Sequence, residues 1–383
     1  MCRHRSRSLL ERRNDKRAME TTRRVTSNDI AQAAGVSRTT VSFVLNEKIG
    51  TNISAETKAR VLEAAQTLGY VPNSAARMLV SGRSRTLGLV LAHGDLMSID
   101  AFAPPLMFGI SRVCNARGYK LLVEAVEAGS RRDAYLDLAK SKRIDALIVL
   151  NSNSEDEGLV RMIESEFPVV LFGSIGHPKE NSIRPNTGKA AVRATRHLVD
   201  LGHRRIAHIT YAPVRYIGAR ERLRAFRRAI ERARLEFDEG LVASGDFSME
   251  SGYRAMKEIL KRRKRPTALF AGNDTIAVGA IAALREAGLT VPRDMAVVGF
   301  DDLPFAAYSH PSLTTVDTEP IKQGEQAAIA AIELLEGRPV GIRNCALSQK
   351  IIIRESCGAQ GRNATRTRSR PSLKTRTTLL SND

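Results

Sequence analysis

Arg38, Thr39, Ser42 and Phe43 offer a guanidinium, two hydroxyls and an aromatic ring within six consecutive positions. On a helix they face outward together, because Val41, Val44 and Leu45 fall on the opposite, apolar side. This is chemistry for reading a polar edge rather than for turning over a substrate. The residues just before them set the geometry. Ile30, Ala33 and Ala34 lie at i, i+3 and i+4, which predicts one apolar face on a first short helix. Ala33 and Ala34 are small, so two helices can cross closely. Gly35 permits the positive φ of a sharp exit, Val36 plugs the angle between the helices, and Ser37 is suited to cap the second. A helix, a tight turn and a second helix over Val25 to Asn46 form the unit that lays its second helix in the major groove of DNA.

The rest of the chain must carry this unit and regulate it. Its 383 residues suffice for two or three domains, and a hydrophobic content of 43% predicts a substantial core. No apolar run reaches the length of a membrane span, and the basic N-terminus lacks the apolar segment of a secretory signal. Cys2, Cys114, Cys345 and Cys357 show neither disulfide nor metal-ligand spacing, which suits a reducing cytoplasm. His197, His203 and His208 flank a helix–strand junction and read as structural. The net charge is +19, of which residues 1–18 and 358–383 contribute +5 each, leaving +9 between them. That balance suits a polyanionic partner. Both ends are rich in Arg, Ser and Thr and read as disordered. Met19 offers an alternative start, with 19–24 as a short arm.

Five segments are expected: a basic arm, 1–24; a three-helix headpiece, 25–70; a joint, 71–85; a core, 86–357; and a basic tail, 358–383. The third headpiece helix starts at Ser54 and carries an apolar stripe of Val61, Leu62, Ala65 and Leu68 up to Gly69. Pro72 stops it, and Asn73 can cap a further short helix from Ser74 to about Val80. Beyond Thr86, apolar strands alternate with helices: strands at Leu87–Leu91, Lys120–Ala125, Ala146–Leu150 and Val169–Phe172, then at Ile206–Thr210, Ala268–Ala271 and Met295–Gly299. Near-continuous apolar strands of this kind mean parallel sheets covered by helices. Two successive sets predict an α/β core of two doubly wound lobes, with a cleft at the carboxyl ends of the strands.

With these residues laid out, the chain resembles regulators of the LacI/GalR (lac repressor) family. The headpiece pattern Val25-Thr26…Asp29-Ile30-Ala31…Ala34-Gly35-Val36-Ser37…Thr40-Val41-Ser42…Leu45-Asn46 carries the resemblance. So do Gly69-Tyr70…Pro72-Asn73…Ala76…Leu79, Leu201-Gly202-His203-Arg204-Arg205-Ile206-Ala207, Asn273-Asp274, Val297 to Asp302, and Pro311 to Val316. The match spans about residues 25–357. It implies a helix-turn-helix headpiece with a hinge helix, a periplasmic-binding-protein-like core, and a homodimer on double-stranded operator DNA. It also implies a small-molecule effector, sugar-like, in the interlobe cleft, and no cofactor.

By the resemblance, Arg38, Thr39 and Phe43 take the main base-reading positions. Arg38 can give a guanine edge two hydrogen bonds. Phe43 stands where Arg is common, which implies contact with a thymine methyl or exclusion of water, and an operator other than the usual one. Thr26, Ser37, Thr40, Ser42 and Asn46 are expected to face the DNA backbone, or to serve only as caps and helix-surface residues. Asn73 and Ala76 belong to the hinge, and Leu79 matches the leucine that wedges into the minor groove. Phe102, Arg222, Phe247, Asn273 and Asp301 match effector-contacting positions. Arg222 and Asp301 suit adjacent hydroxyls, the amide of Asn273 suits donor and acceptor needs alike, and the rings suit an apolar sugar face. Two departures stand out. Gly173 replaces a common Asp, and Pro185-Asn186 replaces a common Asp-Asn, which implies a ligand less densely hydroxylated or differently placed.

Two rival classes use the same core: a cytoplasmic solute-binding protein and an enzyme. The attached headpiece counts against the first. The second finds no Walker loop, dinucleotide fingerprint, metal cluster or nucleophile elbow in the sequence.

Overall fold

The structure is a computed structural model that describes residues 25–46, 52–70, 78, 81–92, 99–126, 133–153, 155–345 and 349–359. The chain divides into two compact units, Met1–Gly82 and Arg83–Asp383.

The described part of the first unit is three helices: α1 (Ser27–Ala34), α2 (Arg38–Leu45) and α3 (Ala55–Thr67). Gly35 takes φ 64°, and its N–H and that of Val36 return to carbonyls of α1. Ser37 accepts a hydrogen bond from the Thr40 N–H at 3.1 Å, capping α2, and Ser54 caps α3 in the same way through Thr57. Ile30, Ala34, Val41, Val44, Val61 and Ala65 form the core. Two expectations need correction. Ala33 is exposed and Ala31 takes its place against the core, and Leu62 is 54% exposed. In both helices the buried stripe is narrower than the apolar pattern, because three short helices enclose little volume.

The second unit holds two sheets. The first contains β1 (Thr86–Ala92), β2 (Lys120–Val126), β3 (Ala146–Leu150), β4 (Val169–Phe172), β5 (Ser182–Pro185) and β11 (Ile342–Cys345). Its order is β11-β5-β4-β3-β1-β2, with every pairing parallel. The second contains β6 (Ile206–Thr210), β7 (Val242–Ser244), β8 (Ala268–Ala271) and β9 (Ala296–Val298), ordered β7-β6-β8-β9 and again parallel. A short antiparallel pair joins β10 (Thr315–Val316) to β12 (Ile351–Ile352).

Helices cover both faces of each sheet. In the first lobe, α4 (Ala103–Ala116) and α11 (Pro320–Leu335) bury Leu87, Leu89 and Ile148 on one side. On the other, α5 (Ala134–Lys140) and α6 (Glu157–Glu164) bury Val90, Leu147 and Val149. In the second lobe, α7 (Thr187–Asp200) and α8 (Ile217–Arg232) face Phe270 and Val298, while α9 (Met249–Leu260) and α10 (Asp274–Glu286) face Ile209 and Leu269. Alternate residues of one strand thus enter different cores, which is why these strands read as unbroken apolar runs.

The lobes are not two successive stretches, as expected, but interleaved. The first-lobe sheet is completed by β11, and α11 packs against α4, so residues 320–345 return to it. The chain therefore passes between lobes three times. Their signal was masked in the sequence: β5 and β11 are four-residue strands that carry Arg184, Pro185, Arg343 and Asn344.

Candidate functional site

In the headpiece, Arg38 and Thr39 open α2 and are exposed, while Thr40, Ser42 and Phe43 are partly buried. Several predicted backbone contacts already have intramolecular partners. Ser37 Oγ lies 2.9 Å from Thr40 Oγ1, and Asn46 Nδ2 donates to the Ser42 carbonyl at 2.8 Å. Thr26 donates through both its N–H and its hydroxyl to Asp29, each at 2.7 Å. These contacts fix the ends of α1 and α2, leaving Arg38 and Thr39 as the most accessible polar groups of the second helix. Asn73, Ala76 and Leu79, with the expected hinge helix, lie outside the described residues, as do most of the two basic ends.

The core contains a cavity of about 420 Å3 lined from both lobes. All five predicted effector residues, Phe102, Arg222, Phe247, Asn273 and Asp301, line it. Arg222 projects from α8 and is 8% exposed. Its guanidinium stacks 3.9 Å from the Phe300 ring centre and 4.5 Å from that of Tyr211, donates to the Gly272 carbonyl, and lies 3.6 Å from Asp301. Asp301 is held at φ 113° just past β9, a strained position for a side-chain residue. Burial pushes its carboxyl up to about 7, against the pull of Arg222, and Thr318 donates to it at 3.4 Å. The adjacent Asp302 turns the other way and pairs with Arg354 at 2.8 Å. The two neighbouring carboxylates are therefore separate groups.

Phe247 also has positive φ, 72°, and packs edge-on against Tyr211 and Tyr216 at 5.3 and 5.4 Å. Asn273 has a second role: its Oδ1 caps α10, accepting from the Ile276 N–H at 2.8 Å, while its N–H donors line the cavity.

The sequence reading missed other lining residues. Asp100 is 5% exposed, raised by burial, and held by Asn151 at 3.1 Å and the Phe102 N–H at 3.0 Å. Tyr211, Tyr216, Glu221 and Gln323 also line the cavity. Glu221 lies one residue from Arg222, but nothing in its local pattern marks it; Gln323 comes from α11, the helix that returns from the other lobe. Deep in the second lobe, His208 stacks between Phe226 and Phe270 at 4.9 and 4.8 Å, and burial lowers it to about 4. It is a structural neutral imidazole.

The comparisons with known proteins agree with this geometry. Residues 26–73 match the model for bacterial regulatory proteins of the lacI family, and residues 195–357 match a periplasmic binding protein-like domain. The chain is 33% identical over 338 residues to the HTH-type transcriptional repressor PurR of Aliivibrio fischeri, covering 86% of this chain and 98% of PurR. The chain belongs to the LacI family. It is also 35% identical over 307 residues to the ribose operon repressor of Escherichia coli K12, covering 79% of this chain and 90% of that one. Among solved structures, a lac repressor dimer bound to operator and the anti-inducer ONPF superposes with a TM-score of 0.76 at 28% identity, covering 88% of this chain and 99% of that one. A complex of the regulator CelR with cellobiose gives 0.67 at 30% identity, covering 87% and 100%. These LacI-family relatives are transcription regulators, not enzymes, and so is this chain: a DNA-binding regulator with an effector-binding core. No helix among the described residues is long and apolar enough to cross a membrane.

Proposed function

We propose that the protein is a cytoplasmic homodimeric repressor that binds a palindromic operator and changes its affinity when a sugar-related metabolite enters the core cleft. One observation carries the effector half of this reading. Arg222 and Asp301, nearly dry and 3.6 Å apart, line the same cavity as the Asn273 amide and the Phe247 ring. A guanidinium beside a carboxylate presents donors and an acceptor at the spacing of vicinal hydroxyls, and the aromatic wall suits the apolar face of a sugar ring. Both lobes line the cavity, so a ligand that bridges them favours one lobe arrangement. Arg38, Thr39 and Phe43 are assigned to base reading, and Leu79 to the minor-groove wedge.

The test is to sequence genomic fragments captured by the full chain at stated salt, with and without candidate sugars. A palindrome with two half-sites, released or strengthened by one sugar, supports the reading. Sequence-blind capture that only salt abolishes refutes it. In the same assay, Asp301→Ala should retain operator binding and lose the sugar response.

A further inference from the structure

Beyond the hydroxyl-binding groups, one rim of the cleft is basic. Arg184, Arg224 and Arg228 line it together with the first turn of α7, Thr187 and Gly188. Asn186, at the cap position of α7, gives that helix no side-chain cap, so its first amides and the positive end of its dipole are left open. The Arg228 guanidinium lies over this turn, with Nη2 3.9 Å from where a Cβ on Gly188 would sit. A guanidinium beside an uncapped helix N-terminus brings two positive ends together, an arrangement that an anion between them relieves.

The counter-charges are sparse. Glu221 is the acid on this rim, and it accepts from the Thr187 hydroxyl at 3.2 Å. Arg184 Nε is buried without a partner among the described residues. In the same cavity Gln323, only 2% exposed, has an Oε1 without a partner, a free acceptor facing a ligand donor.

We infer that the effector is a hydroxylated anion, a sugar acid or a sugar phosphate, whose carboxylate or phosphate sits at Arg184, Arg228 and the α7 N-terminus. This rests on the proposed cleft function: the hydroxyls of the same molecule meet Arg222, Asp301, Asn273 and Gln323. Arg184 and Arg228 come from opposite lobes, so the anion ties the two lobes together.

Calorimetry on the full chain tests it with D-gluconate, D-glucose 6-phosphate, D-glucose and cellobiose. The expected result is that gluconate or the phosphate binds at least tenfold more tightly than glucose and that added salt weakens this preference. Arg228→Gln, and independently Arg224→Gln at the exposed end of the rim, should narrow the gap between anion and neutral sugar. The unliganded melting temperature of each variant checks its fold. Which anion prevails distinguishes carboxylate from phosphate. A neutral sugar binding as tightly as the anions, an unchanged anion preference in Arg228→Gln, or no binding by any of the four overturns the inference. If a neutral sugar binds and Asp301→Ala abolishes it, the cleft function stands and only the anion is rejected.

Discussion

At the scale of single residues, Asp301 concentrates the chemistry of the cleft. Its carboxyl is buried and titrates near 7, so the folded chain holds a proton there that the unfolded chain releases at the ordinary carboxylate value. Between those two values the native state binds more protons than the unfolded one, and this group's contribution to stability falls as pH rises. Asp301→Asn should remove that slope. The melting temperature of the wild type relative to the variant is expected to decline from pH 5 to pH 8; parallel curves would mean that Arg222 keeps the carboxylate charged throughout. In the headpiece, Arg38→Ala should cost about 1–3 kcal/mol of operator affinity and relax preference at one base pair. Titration of matched and mismatched operators reads both effects. Arg222, Phe247 and Asp301 were legible in the sequence because each sits in a local pattern. The double use of Asn273 was not, since its cap bond depends on how β8 hands over to α10. Nor were Asp100, in the turn before α4, and Arg184, on the short strand β5, which reach the cleft only through the tertiary fold.

At the scale of elements, glycines decide how closely helices meet. A Cβ on Gly109 would lie 2.0 Å from the Ile321 carbonyl oxygen, and one on Gly324 would lie 2.1 Å from that of Leu106. α4 and α11 therefore touch backbone to backbone, and α9 meets α10 likewise through Gly252 and Gly279. Gly324→Ala should destabilise the core by roughly 1–3 kcal/mol, because neither backbone can yield locally. Chemical denaturation measures it, and an unchanged midpoint would show that the crossing can open. Most strands and helices were readable from period and length. The exceptions have physical reasons: the start of α4 at Ala103 is obscured by Pro104 and Pro105, which read as helix breakers but fit a first helical turn. The α11 helix buries mainly small residues, Ala327, Ala328, Ala330 and Ala331, and its larger core residues Ile332, Leu334 and Leu335 gather at its C-terminal end, so no long apolar stripe marks it.

At the scale of the whole molecule, the headpiece cluster of Ile30, Val41 and Val61 and the core clusters share no residue. Residues 83–359 expressed alone should fold, bind ligand as the full chain does and lose operator binding. Circular dichroism with calorimetry would show this, and an unfolded fragment would mean that the core depends on the headpiece. Two sheets in series were readable from the alternation of strands and helices. Their interleaving was not, because strand order follows from packing between residues far apart in the chain.

That interleaving bears on how the protein is made. The β5 edge of the first sheet is covered by β11, whose residues 342–345 follow 182–185 by 160 positions. At about 5–20 residues per second, a ribosome needs roughly 8–30 s to supply the missing strand. Throughout that interval the nascent chain carries an open sheet edge and an α4 face without its partner helix, both adhesive surfaces. The second lobe's sheet, with its four strands complete by residue 298, is free to form first. The sheet that begins earlier in the chain closes later.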